Sequence, residues 1–156
     1  MTNRSKDVGT RFTSDTIRYL RANGFPGAEL RNQAGVRDKG DIIGCIGVCW
    51  ECKGGHAAEQ ASDGQVAAWL LGETETERVN AGADVGILVT KRKAIGARFA
   101  GLWWAHMTIG TVVELVMGRG KSNRLPTWLS DAPIRMHLAD AVMMLRRAGY
   151  GTEVGA

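Results

Sequence analysis

At 156 residues, with 44% hydrophobic and 23% charged side chains, the chain fits one domain able to bury a core without staples. No apolar run approaches the length of a membrane span and the opening Met1 to Lys6 lacks an apolar leader, so a cytoplasmic protein is expected. Three cysteines, odd in number and crowded at Cys45, Cys49 and Cys52, do not make a secreted disulfide framework. The net charge of +4 is unevenly spread: residues 84–124 hold seven Lys/Arg against two acids, Asp84 and Glu114, while Glu73, Glu75 and Glu77 crowd together. A basic patch beside an acidic helix face suits a partner that carries phosphates.

In chain order, residues 7–23 carry Val8, Phe12, Thr16, Tyr19 and Leu20 at helical spacing, with Asp7 placed to cap the start and Gly24 the end. Pro26-Gly27 turns the chain into a short strand, Ala28 to Arg31, and the polar, basic stretch Asn32 to Lys39 reads as a loop. Strands over 41–45 and 48–54 follow, with Gly47 between them. Ser62-Asp63-Gly64-Gln65 resembles a capping box and opens a helix to about Ala81, which Gly82 ends. Asp84 to Thr90 is nearly continuously apolar, the pattern of a strand buried on both faces. A basic loop, Lys91 to Arg98, leads to a strand from Leu102 to Thr108, whose Trp103 and Trp104 divide between core and surface. A helix at about 111–118, a flexible connector at 118–123 and a last helix from Ser130 or Asp131 through Arg147 complete the order α-β-β-β-α-β-β-α-α. In that last helix Ile134, Leu138, Val142 and Leu145 can pack on their own domain or form an interface.

The chemistry hangs on the register of the hairpin. A three-residue loop, Cys45-Ile46-Gly47, with Gly47 left-handed, sets Ile42 opposite Trp50 and Asp41 opposite Glu51. Directly opposed residues share a sheet face with Cβ atoms about 5 Å apart, and two carboxylates so placed repel unless a cation lies between them. Lys53, two residues beyond Glu51, points to the same face. Hard oxygen ligands favour magnesium or manganese over zinc. A solvated salt bridge is the plain alternative, but these acids sit among Ile42, Ile43, Val48 and Trp50. The cysteines with His56 suggest zinc less well, since Cys49 and Cys52 point to opposite faces. His106 and His137 read as packing or surface residues.

Gly9-Thr10-x-Phe12 at a helix start, Gly24-Phe25, Gly40-Asp41-Ile42, Trp50-Glu51-Cys52-Lys53 and Gly86-Ile87-Leu88-Val89-x-Lys91-Arg92 resemble the PD-(D/E)XK nuclease superfamily over residues 7–108. The archaeal-type Holliday junction resolvases and related bacteriophage proteins are most similar. The resemblance implies an α/β, restriction-endonuclease-like α-β-β-β-α-β core with a mixed central sheet flanked by helices in residues 1–118. Residues 119–156 would then be a connector and a helical C-terminal extension. It implies a Mg2+-dependent endodeoxyribonuclease, with Mn2+ a substitute, acting on branched DNA as a homodimer, in a bacterial host's cytoplasm if phage-encoded. Asp41, Glu51 and the Cys52 backbone carbonyl would hold the metal, Lys53 would position or activate the water, and Gln65 would stand where some members carry a glutamine. Gln65 equally serves the capping box with Ser62. Arg31, Arg37, Lys39, Lys91, Arg92 and Lys93 would meet DNA phosphates. The sequence departs from the family in helix 1, where Thr13 stands in place of the usual glutamate. A repair or restriction-like nuclease and a catalytically weakened DNA-binding protein are the alternatives, and Glu29 is a candidate to complete the site.

Overall fold

The computed structural model describes residues 4–32, 35 and 37–152. Its first element is helix α1 (Arg4–Ala22), which begins three residues before Asp7, so Asp7 lies in the first turn rather than at the cap. Gly24 ends it as expected, with φ +104°, and the Phe25 N–H returns to the Leu20 carbonyl. The buried stripe of α1 is Phe12, Thr13, Thr16, Ile17 and Leu20, while Val8 stays exposed.

Strands β1 (Glu29–Leu30) and β2 (Ile42–Ile43) are shorter than expected, and β3 (Val48–Lys53) is full length. Two left-handed glycines cut β2 short. At Gly44, φ +81°, a Cβ would fall 1.8 Å from the Gly27 carbonyl oxygen; at Gly40, φ +87°, it would meet Cys49 Sγ at 2.8 Å. Both positions therefore need glycine. The hairpin register is the expected one: Ile42 pairs with Trp50, the Asp41 N–H donates to the Trp50 carbonyl (2.9 Å), and Gly47 is left-handed at φ +81°.

From β3 the chain crosses over through α2 (Gly55–Glu59), α3 (Asp63–Ala68), a π-helical stretch (Trp69–Thr74) and α4 (Glu75–Ala81). It then enters β4 (Val85–Thr90), parallel to β3 and wholly buried. A 3₁₀ segment (Ala97–Leu102) leads to β5 (Trp104–Thr108), and α5 (Ile109–Met117) follows.

The single helix expected from Ser130 or Asp131 is replaced by three elements: α6 (Thr127–Ser130), strand β6 (Pro133–His137) and α7 (Leu138–Arg147). Pro133 has no N–H to offer a ladder or a helix, so it opens the edge strand. Ile134 to His137 then satisfy the open edge of β5, register Trp104 to His137 and Met107 to Ile134. The sheet order is β1-β2-β3-β4-β5-β6, antiparallel except for the β3–β4 pair. Leu138, Val142 and Leu145 are buried in the same core as α1, β3 and β4, so residues beyond 118 build the domain's own sheet and core rather than a helical extension.

Strand parity divides the sheet chemically. Val48, Trp50, Cys52, Ile87, Val89, Ala105 and Met107 point to one face, where α1 and α7 bring Phe12, Leu20, Leu138 and Leu145. Phe12 packs on Trp103 (4.6 Å) and Phe25 meets Trp50 edge-on (6.1 Å). The alternate residues, Cys49, Glu51 and Lys53 with Leu88, Thr90, Trp104 and His106, point to the other face. No helix among the described residues is long and apolar enough to cross a membrane.

Candidate active site

The second face carries an acidic group built from two directions. Asp41 and Glu51 come from the hairpin, each one step beyond the paired Ile42 and Trp50, with Asp41 Oδ2 accepting the Cys52 N–H at 2.9 Å. That bond places the Cys52 amide at the site, while its thiol points through to α1 and touches Thr13 and Thr16. Lys53 lies on the same face as Glu51, its ammonium 3.0 Å from Glu51 Oε1, ion-paired to Glu73 and 5.8 Å from the Trp69 ring.

The other direction is the crossover helix, which in the sequence shows only as an acidic helix face. Glu77 is only 4% exposed and Glu51 7%. Carboxylate oxygens of Glu51, Glu73 and Glu77 all lie within 4.8 Å of one another. Glu73 and Glu77 stand four apart, a spacing that gathers side chains on one helix face. The π turn changes the helix phase in this stretch (Thr74 Oγ1 donates to the Trp69 carbonyl, five residues back), so a plain 3.6-residue count misassigns the faces of α4. The loop before Asp41 is tied to the same helix: Asn80 Nδ2 donates to the Asp38 carbonyl (2.8 Å), and Asp38 Oδ1 accepts the Gly40 N–H (3.2 Å).

So many carboxyls in one dry place cannot all be charged at neutral pH. Burial, then the charges of Asp41 and Glu77, push Glu51 up to about 9. Burial, with Asp38 and Asp41, pushes Glu77 up to about 7, although its hydrogen bond to Glu51 pulls the other way. Asp41 is also raised, by burial, against the Cys52 N–H that favours its charge. Burial works against the Lys53 ammonium, but Glu73 and Glu51 outweigh it and raise its pKa, making Lys53 the internal counter-ion of the group. Glu77 Oε2 is buried with no hydrogen-bond partner, an acceptor left for a ligand.

The remaining expectations fall out unevenly. Gln65 is exposed on the first turn of α3, where its backbone N–H meets Ser62 Oγ at 3.2 Å, the capping role. Thr13 faces the core side of β3 and donates to the Gly9 carbonyl (3.2 Å), away from the acids. Glu29 pairs with Ile43, two positions from Asp41, and is exposed. Of the six basic residues, Arg31 donates to the Gly40 carbonyl (2.9 Å), and Lys91 to the carbonyls of Arg92 and Ile95. Arg37, Lys39 and Lys93 are exposed, and Arg92 leans on Trp104. The cysteines are free and buried, with Cys45 pushed up to about 11 and Cys49 to about 12 by burial, so no zinc thiolate set forms among the described residues. His106 is buried against Thr90 Oγ1 (2.8 Å) and lowered to about 4 by burial and by Arg135.

A groove of about 980 Å³, lined by Leu71, Arg78, Asp84, Glu114 and Arg119, lies at the opposite end of β4 from these acids. A second, of about 620 Å³, is lined by Thr90 and Lys91, next to Lys53, and by Trp104, His106 and Arg135. Neither groove is lined by Asp41, Glu51, Glu73 or Glu77, and the second approaches them only through Thr90, the strand partner of Lys53. No protein-family model, curated protein or solved structure matches this chain.

Proposed function

We propose that the protein is a metal-dependent DNA endonuclease of the PD-(D/E)XK kind, its substrate branched DNA such as a four-way junction. The observation that carries this reading is the carboxyl cluster of buried Glu51 and Glu77 with exposed Glu73, countered by Lys53 and flanked by half-buried Asp41. The order from α1 to β4, with parallel β3 and β4 joined by crossover helices, supports reading it as the restriction-endonuclease-like core.

The donors fit a hard divalent cation. They are carboxylate oxygens, held partly protonated by burial first and by one another's charge second, and Glu77 Oε2 lacks a partner. When bound, Mg2+ or Mn2+ supplies Lewis acidity at the scissile phosphate and lowers the pKa of water. Asp41, Glu51 and Glu77 would hold it, with the Cys52 carbonyl beside them. Glu77 thereby fills the place that Thr13 leaves open in helix 1. Lys53, freed as the acids' counter-ion, orients the attacking water and offsets charge on the phosphorane. The water oxygen bonds to phosphorus and gives its proton to solvent as the bond to the 3′ oxygen breaks; the 3′ oxygen takes a proton from solvent, leaving a 3′-hydroxyl and a 5′-phosphate. Paired nicks in a two-fold symmetric junction call for a homodimer.

Purified protein with Mg2+ is expected to cut a labelled four-way junction at least tenfold faster than linear duplex, flap or single strand. Equal cutting of all four would sink the resolvase reading and leave a general nuclease. Junction binding without cutting, in Mg2+ and in Mn2+, would favour a DNA-binding protein that no longer catalyses.

A further inference from the structure

Across the sheet from Lys53 runs a lateral row, Lys53 to Thr90 to Trp104 to His137, each directly opposed to the next and all on the acidic face. At its far end the Trp104 ring holds two guanidiniums, Arg92 at 4.4 Å and Arg135 at 4.2 Å from its centroid. His137 stacks on the same indole (5.3 Å, 15° between planes), and its Nε2 lies 3.3 Å from Arg92 Nη1. Among the described residues neither arginine has a carboxylate within ion-pairing distance. Two like charges are thus held together by one aromatic ring, with most of their donors unused.

Each cation–π contact is worth about 0.5–1 kcal/mol at an exposed site, enough to fix the planes but no substitute for an anion. Guanidinium forks match phosphate oxygens. With strands about 4.8 Å apart, Trp104 lies about 10 Å from Lys53 and Arg135 about 15 Å from Glu51. Phosphates of one duplex strand rise about 3.4 Å per nucleotide along the axis but, winding around it, stand about 7 Å apart, so the interval is about two nucleotides. The 620 Å³ groove is lined by Thr90 and Trp104 of this row and by Lys91 and Arg135.

We propose that Arg92 and Arg135, held by Trp104, clamp backbone phosphates of the nucleic-acid strand about two nucleotides from the phosphate at the acidic site. The identity of the ligand rests on the nuclease reading; the clamp itself is tested separately. Binding of a fluorescently labelled four-way junction is measured by anisotropy over a range of salt, with calcium replacing magnesium so that binding is read without cleavage. Arg92→Gln and Arg135→Gln are each expected to weaken binding about three- to tenfold. Each should also flatten the plot of log K against log salt by about one contact, roughly 0.7–0.9. Arg18→Gln, an exposed change on α1 across the sheet, should leave the slope unaltered. Inorganic phosphate at millimolar concentration should not compete.

Unchanged slopes in both variants, a parent that binds no DNA, or full competition by inorganic phosphate would each overturn the clamp. A parent that cuts DNA while its arginine variants bind like it overturns the clamp and leaves the nuclease. Variants that lose a contact in a protein that never cuts do the reverse.

Discussion

Glu51→Gln is expected to abolish metal-dependent cleavage, by at least about 10³-fold, and at the same time to make the metal-free protein more stable at alkaline pH. The two effects have one cause. Glu51 is 7% exposed, and its folded pKa of about 9 lies above the ordinary 4.5. Over that interval the folded state holds a proton that the unfolded state has released. The resulting stability is full below about pH 4.5 and is lost as pH rises through 9. Glutamine has no such proton to lose. The variant should therefore match the parent near pH 4.5 and exceed it at pH 8 by up to about 5 kcal/mol, a Tm gain of up to roughly 10–20 °C for a chain this size. Magnesium should raise the parent's Tm at pH 8 and leave the variant's unmoved. Thermal melts at the two pH values, with and without the ion, check all of this. A variant that is less stable at pH 8, or that still cuts, contradicts the site.

Lys53→Met should give the opposite stability and the same loss of function. The Lys53 ammonium neutralises Glu73 and bonds to Glu51, so its removal leaves the Glu73 charge uncompensated beside the buried acids. Because its folded pKa is raised, its stabilisation is fully present at pH 8, below the ordinary lysine value of 10.5. The side chain is a quarter exposed, so solvent screens the pair and the metal-free cost should be about 1 kcal/mol. Cleavage should fall about 10²- to 10⁴-fold, the span for a group that positions or activates the attacking water. Manganese binding, read by calorimetry, should persist. Cleavage near the parental rate would remove Lys53 from the chemistry and leave it as a salt-bridge partner.

These two residues and Asp41 were legible in the sequence because strand parity is rigid. Once Gly47 set the loop, Asp41 had to face Glu51 and Lys53 had to share their side. The buried strand at 85–90 was legible from its unbroken apolar run, and the Gly24 cap from its position. Glu77 was not legible. Its burial depends on a π turn at 69–74 and on where the crossover helix lands, neither of which leaves a periodic trace. Its nearest local signal was the four-residue spacing from Glu73. Strand β6 was hidden for a related reason. Leu138, Val142 and Leu145 do repeat helically, and Pro133 is tolerated in a first helical turn, so nothing local barred extending the helix back over Ile134 to His137. The open edge of β5, a tertiary fact, decided it. Arg135 and His137 were therefore placed on a helix, and their meeting with Arg92 on Trp104 went unseen.

Anomalous diffraction from crystals grown with Mn2+ tests the acidic site most directly. The expected result is a single strong peak or a close pair bounded by the carboxylates of Asp41 and Glu51, with Glu77 reaching it and Lys53 no longer paired to Glu73. A map without a peak there, with the Lys53 ammonium still between Glu51 and Glu73 at saturating Mn2+, would rule out a metal centre at these carboxylates.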